Sequence, residues 1–147
     1  MVFSLNPDVI KYIESGFTDS IGVGAGANAD TSVCTSALFV GYNAGNRNRG
    51  GLNVSFGPNS FENNINGESN AAIGYNAMHN STGSFNIAMG KDAMLNQTGS
   101  YNVALGASAL SGTSATSNNV AIGYGAMAQA GSGGSSIAIG SGAGFSN

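Results

Sequence analysis

The sequence predicts an all-β fold, a parallel β-solenoid of eight 16–17-residue coils preceded by a short N-terminal helix. Two observations predict it. A short apolar motif that ends in glycine returns every 16 or 17 residues, and the segments between its copies are rich in the small polar residues of turns. Residues 1–18 lie outside this period and form an N-terminal segment, whereas residues 19–147 form the repeat domain.

The composition is polar but almost uncharged. Only 7% of the 147 residues are charged, and after Glu68 the charged side chains are Lys91 and Asp92. An ordinary soluble domain carries about 25% charged residues, so this surface is not that of a typical enzyme. The net charge of -3, with four scattered basic residues, argues against nucleic acid and anionic lipid as partners.

The N-terminal segment predicts a helix over about residues 7–15. Asn6 is a good cap, Pro7 suits the first helical position, Asp8 lies near the positive end of the dipole, and Gly16 is a good stop. The segment also carries several apolar side chains, which need a partner to cover them. Two interpretations stay open: the segment caps the end of the solenoid, or it docks the protein into a larger assembly. The candidate docking residues are Val2, Phe3, Leu5, Val9, Ile10, Ile13 and Phe17.

Eight glycines anchor the repeat. The residues one and three positions before each glycine are apolar, with a small residue between them in seven of the eight copies. Apolar residues at i and i+2 predict a short strand, and we expect this pair to point into the core. The glycine then turns the chain, in a conformation that Val or Ile would not adopt. The anchors are Gly24, Gly41, Gly57, Gly74, Gly90, Gly106, Gly123 and Gly140.

One coil of 16 or 17 residues is too short to bury its own apolar side chains, and stacking of the coils would bury them. With about 4.8 Å between coils, eight coils make a rod on the order of 40 Å long. Alanine three positions after the glycine, in seven copies, predicts a flat outer stripe against which another chain packs. Asparagine four positions before the glycine predicts a side-chain ladder formed by Asn53, Asn70, Asn86, Asn102 and Asn119.

The repeat also carries a family likeness. Its unit, Asn-(Val/Ile)-Ala-(Ile/Leu/Met)-Gly-x-x-Ala with Thr-Gly-Ser in the loop, resembles the repeats of virus tail-fibre proteins. More loosely, residues 136–140, "SIAIG", resemble the "SVAIG" pattern of trimeric autotransporter adhesin heads. The likeness covers about 129 of 147 residues, although Ser55 and Pro58 depart from it in an early copy. It implies a left-handed parallel β-roll wound as a homotrimer, with the apolar strand residues inside each roll and small residues toward the trimer axis.

This resemblance implies a virion structural protein, a short trimeric tail fibre or receptor-binding spike. Its expected partners are two further copies of the chain, other virion proteins bound through the N-terminal segment, and a host surface glycan or receptor. A capsid decoration spike is the first alternative, and the head of a cellular trimeric adhesin is the second. The first ten residues lack Lys, Arg and a long apolar core, so we expect no secretion signal, assembly in the host cytoplasm and a virion location. No apolar run approaches the roughly 20 residues of a membrane helix, so we expect no membrane insertion.

No residue is a candidate for catalysis, for cofactor binding or for metal binding, and we expect a protein that is not an enzyme. The glycine-rich residues 22–27, "GVGAGA", lack the following helix, strand and acidic residue of a dinucleotide site, which favours a solenoid turn. His79 has no second ligand near it in sequence and is predicted to be solvated. Cys34 is the only cysteine, so no intrachain disulfide is possible.

Three tyrosines recur directly after the anchor glycine, at Tyr42, Tyr75 and Tyr124. Aromatic rings in a column can bind sugars, and they can also pack between coils. Packing between coils is the favoured prediction.

Overall fold

The protein is a stack of short strands in a computed structural model that describes residues 10–12, 21–24, 36–112, 116–129 and 134–144. These residues contain no helix and form about 6 turns of a β-solenoid. The strands are β1 (Ile10–Tyr12), β2 (Ile21–Val23), β3 (Leu38–Val40), β4 (Val54–Phe56), β5 (Ala71–Ile73), β6 (Ile87–Met89), β7 (Val103–Leu105), β8 (Val120–Ile122) and β9 (Ile137–Ile139).

All nine strands belong to one sheet, whose spatial order is the order of the chain. Strands β2 to β9 run parallel, and each pairs with the next at equivalent repeat positions. Ala88 of β6, for example, lies opposite Ala72 on one side and Ala104 on the other. The predicted parallel solenoid and the phase of its repeat are therefore confirmed.

Strand β1 is the exception, because it pairs antiparallel with β2, with Ile10 opposite Val23 and Tyr12 opposite Ile21. The helix predicted over about residues 7–15 is thus wrong for residues 10–12, and its other residues lie outside the described part of the chain. The physical reason is the open edge of β2, whose backbone groups gain partners when a β-branched and an aromatic residue extend alongside it. The pairing covers this edge of the sheet.

Hydrogen bonds between coils continue beyond the strands. The Ile87 N–H donates to the carbonyl of Asn102 at 2.9 Å, and the Gly90 N–H donates to the carbonyl of Ile73 at 2.8 Å. Further along the coil, the Met78 N–H donates to the carbonyl of Ala93 at 2.9 Å. Each coil is therefore tied to its neighbours along much of its path, and the spacing of equivalent residues is fixed.

Backbone conformations outside the usual regions shape each coil. Gly90 has a φ of 136°, and a Cβ there would lie 2.6 Å from the carbonyl carbon of Gly106 in the next coil, so only glycine fits. Asn76 and Met78 adopt left-handed φ values of 53° and 54°, and the equivalent residues of other coils do the same. The sequence motif predicts the glycine turn but not these further left-handed turns.

The core consists of two columns of alanine and one column of larger side chains. Ala88, between the two apolar residues of β6, and Ala93, three positions after the anchor glycine, are both fully buried. The expectation that the apolar pair points inward is wrong, and so is the expectation that the second alanine column forms an outer stripe. A coil of 16 or 17 residues encloses little space, and methyl groups fill it together with one larger residue per coil. Those larger residues are Phe61, Met78, Met94, Leu110 and Met127.

The predicted asparagine ladder is confirmed. All five side chains are buried, and the Asn86 Nδ2 donates to the carbonyl of Gly99 at 3.0 Å. The Asn86 Oδ1 accepts from the Asn102 N–H at 2.8 Å. The Asn70 Nδ2 also donates to the Asn53 Oδ1 at 3.1 Å. The ladder thus satisfies buried backbone groups that the strands leave unpaired.

Candidate functional site

An extended exposed apolar surface lies on the outer side of the parallel sheet. We call it the strand face and define it as the first and last side chains of β3 to β9. In β6, Ile87 and Met89 are 44% and 45% exposed, whereas the alanine between them is fully buried. In β9, Ile137 and Ile139 are 75% and 69% exposed. Alternation along a strand sends neighbouring side chains to opposite sides, so burial of the alanine forces its neighbours outward.

The strand face is continuous along the rod and carries no charge. Every one of its 14 positions is apolar, and in-register pairing places equivalent side chains about 4.8 Å apart. Along one edge, five positions before the anchor glycine, lie the exposed side chains of Leu52, Phe85 and Tyr101. Phe85 and Tyr101 stack with their ring centroids 5.0 Å apart and their planes at 2°. The motif did not reveal this edge, although the position in the repeat could have done so.

A second surface lies beyond the other edge of the strand face, after the anchor glycine. Tyr42, Tyr75 and Tyr124 are 59%, 47% and 70% exposed, so the prediction that they pack between coils is wrong. The residue after the glycine faces outward at this turn, which leaves no space between coils for a ring to enter.

Beside two of these tyrosines runs a column of polar side chains. The Asn59 Nδ2 donates to the Asn76 Oδ1 at 3.3 Å, and the Asn76 Nδ2 donates to the Asp92 Oδ1 at 3.1 Å. Asp92 also lies 3.6 Å from the ammonium group of Lys91. This column connects three successive coils on the outside of the rod.

His79 takes part in contacts that the sequence did not predict. Its Nδ1 lies 3.1 Å from the carbonyl of Asn59 and 3.5 Å from the Glu62 Oε2, and its Nε2 lies 3.3 Å from the Asn63 Nδ2. The side chain is only 22% exposed, so it is not simply solvated. All three partners belong to the preceding coil, which makes His79 a link between coils.

The predicted docking residues are not brought together in the described part of the chain. Ile10 lies in β1. Outside the described residues lie Val2, Phe3, Leu5, Val9, Ile13 and Phe17. Their role in docking stays a prediction.

Other site classes gain no candidate from the described residues. Within them, no three His, Cys, Asp or Glu side chains are placed to hold a metal ion. Residues 22 and 23 lie in β2 and Gly24 follows it, which agrees with a solenoid turn rather than a phosphate loop. In the same part of the chain, no helix has the length and apolar character needed to cross a membrane.

Comparisons of the chain with protein families, with curated proteins and with solved structures gave no match.

Proposed function

We propose that the protein is a virion structural protein, a short trimeric fibre or spike whose three chains pack through their strand faces. It belongs to the tail in this proposal, as a tail-associated fibre or a receptor-binding spike. The N-terminal segment docks the rod to other virion proteins. The role is attachment and reach, and it requires no catalysis and no cofactor.

The observation that carries this proposal is the exposed apolar strand face. Seven strands at about 4.8 Å and a width of about four residues give a strip of roughly 34 Å by 13 Å, on the order of 400 Å². The largest apolar patch of a typical monomeric protein is about 300–600 Å², and patches of this size often mark interaction sites. The stacked rings of Phe85 and Tyr101 widen the strip along one edge. Burial against further copies of the chain removes the free-energy cost of exposing this apolar strip to water.

Cyclic symmetry fits a rod whose coils are identical in spacing. If the symmetry axis lies parallel to the rod, the same apolar contact repeats at every level of the stack. The number three comes from the resemblance of the repeat to trimeric fibres and adhesin heads. Such an assembly is held by hydrogen bonds along its length and by apolar contacts across it, which favours stiffness.

Two other functions use the same rod. A capsid decoration spike differs from a tail fibre only in its location, and an adhesin head differs in being attached to a cell. A fold of this kind does not by itself choose among them. The location of the protein is therefore the decisive observation.

Electron cryomicroscopy of virus particles assembled in cells that make the protein tests the proposal. We expect a short rod with three-fold symmetry at the tail. Rods on the capsid shell would replace the tail assignment by the decoration spike, and particles without the protein would overturn the virion role.

A variant tests the docking segment in the same particles. Val2→Ser, Phe3→Ser and Leu5→Ser together remove apolar surface and should prevent incorporation, with the mass of the purified protein unchanged. Thr82→Ser with Thr98→Ser, both exposed in the middle of the rod, is the control. Normal incorporation of the N-terminal variant would refute the docking role.

A further inference from the structure

The outer turn after the anchor glycine combines exposed rings with fixed polar groups. We call this region the tyrosine–amide surface and define it by two adjacent columns on successive coils. Its members are Tyr42, Asn43, Pro58, Asn59, Tyr75, Asn76 and Asp92.

The polar groups of this surface are held in place. The Asn59 N–H donates to the carbonyl of Tyr42 at 2.7 Å, and the Asn76 N–H donates to the carbonyl of Pro58 at 3.1 Å. The side chains of Asn59, Asn76 and Asp92 then form the column of hydrogen-bonded polar side chains described above. A primary amide has two N–H donors and two acceptor lone pairs. Within the column, the amide of Asn76 uses one donor and one lone pair. This half-buried amide therefore keeps one N–H donor and one lone pair for a further partner.

The rings lie at a regular spacing beside these amides. Tyr42 and Tyr75 occupy the same repeat position two coils apart, which corresponds to about 10 Å along the rod. Pro58, also exposed, occupies the coil between them. The surface is thus a row of three rings with a parallel row of amides and one carboxylate.

Turn geometry alone does not account for this combination. Asn59 and Asn76 have left-handed φ values of 55° and 53°, which asparagine tolerates better than most residues. However, the coil that carries Tyr124 has Gly125 at the same position, with a φ of 62°. Glycine satisfies the turn without an amide, so Tyr124 stands beside a turn that lacks the polar row. This coil is a matched control within the chain.

We propose that the tyrosine–amide surface binds a neutral, extended glycan that lies along the axis of the rod. A sugar ring offers an apolar C–H face, which suits tyrosine, and hydroxyl groups at its edge, which suit amides and a carboxylate. Tyrosine and asparagine together supply rigid contact area and adaptable hydrogen bonds at other recognition surfaces. A chain of sugars repeats along its length, as the rings of this surface do. The inference rests on the proposed attachment function and deepens it by naming the residues that bind and the class of glycan, and the site lies within one chain.

The charge of the surface favours a neutral ligand over a polyanion. Its one charged group, the Asp92 carboxylate, pairs with the ammonium group of Lys91 beside the surface. A sulfated or phosphorylated polymer needs a row of basic groups, which these columns do not provide.

Titration with neutral hexasaccharides tests the inference, using cellohexaose, chitohexaose and maltohexaose as separate probes of the intact protein. We expect saturable binding of at least one, measured by calorimetry and by tyrosine fluorescence. Tyr42→Ala with Tyr75→Ala should weaken that binding about tenfold or more. Asn76→Gly, which copies the turn at Gly125, should also weaken it, whereas Tyr124→Ala should leave it unchanged.

Three results would overturn the inference: no saturable binding of any of the three probes at millimolar concentration, equal binding by the Tyr42/Tyr75 double variant, or tighter binding of heparin than of all three. Circular dichroism of each variant shows whether the fold is retained. The oligomeric mass of the same samples in solution, trimer or monomer, tests the fibre proposal separately from this inference. A trimer that binds no glycan contradicts only the inference, and a monomer that binds glycan contradicts only the trimer.

Discussion

At the scale of single residues, the buried asparagines make each coil dependent on the next. Asn86 connects three coils, because its N–H donates to the Asn70 Oδ1 at 2.8 Å while its own side chain serves Gly99 and Asn102. Buried backbone groups that lose a partner cost about 1–3 kcal/mol each. The ladder is therefore a large local contribution to stability in a chain with small core side chains.

Replacing one of these asparagines measures that contribution. Asn86→Ala leaves the Gly99 carbonyl and the Asn102 N–H without partners and should lower the free energy of unfolding by about 3 kcal/mol. Asn96→Ala is the control, because Asn96 accepts from Asn80 in an exposed ladder, and it should cost less than about 1 kcal/mol. Urea denaturation at equal protein concentration checks both. Similar losses for the two variants would contradict the importance of the buried ladder.

At the scale of the coil, the interior obeys a rule of complementary sizes. Most described coils pair an alanine in the strand with a large residue six positions later, as Ala72 does with Met78. The coil of β3 reverses the sizes, with Phe39 in the strand and Gly45 at the later position. A Cβ at Gly45 would lie 2.6 Å from the Phe39 ring. The departure of Phe39 from the repeat is thus compensated within its own coil.

A double variant tests this rule. Phe39→Ala alone should cost about 3–5 kcal/mol by leaving a cavity, and Gly45→Met alone should destabilise through contact with the ring. Together they recreate the arrangement of the coil with Met78, whose φ of 54° shows that methionine tolerates this backbone. We expect the double variant to be markedly more stable than Phe39→Ala, as measured by thermal and urea denaturation. Additive losses would contradict the rule.

The repeat positions also explain how far the sequence could be interpreted. Eight glycines in phase predicted the strands and their stacking, because position in a repeat is preserved in the fold. The direction of Ile87 and Met89 could not be obtained in this way. Alternation shows that the two share a side, but not which side is buried, and hydrophobicity wrongly favoured the larger residues. The small space enclosed by a short coil admits the alanine and excludes the larger pair. That space depends on the path of the whole coil and not on the strand residues alone.

At the scale of the whole molecule, the strand side chains are oriented opposite to the prediction, with the larger apolar residues outside. The expected contact between chains therefore moves to the strand face. The alanine pattern of the sequence predicts this contact on the second alanine column, which the structure buries, for example at Ala93. The exposed strand face is wider and more apolar than that stripe would have been, so it strengthens the expectation of self-association. The docking segment and the glycan surface lie elsewhere on the chain, so each can be tested separately.

The most direct test of this account is the mass of the purified protein in solution, measured by sedimentation equilibrium together with two variants. Ile87→Asn with Met89→Asn places amides on the strand face and should weaken association. Ile65→Asn, at a residue 47% exposed outside that face, should not. For the unaltered chain we predict three times 14.5 kDa, with dissociation only in the strand-face variant. A folded, stable monomer of 14.5 kDa would contradict the account.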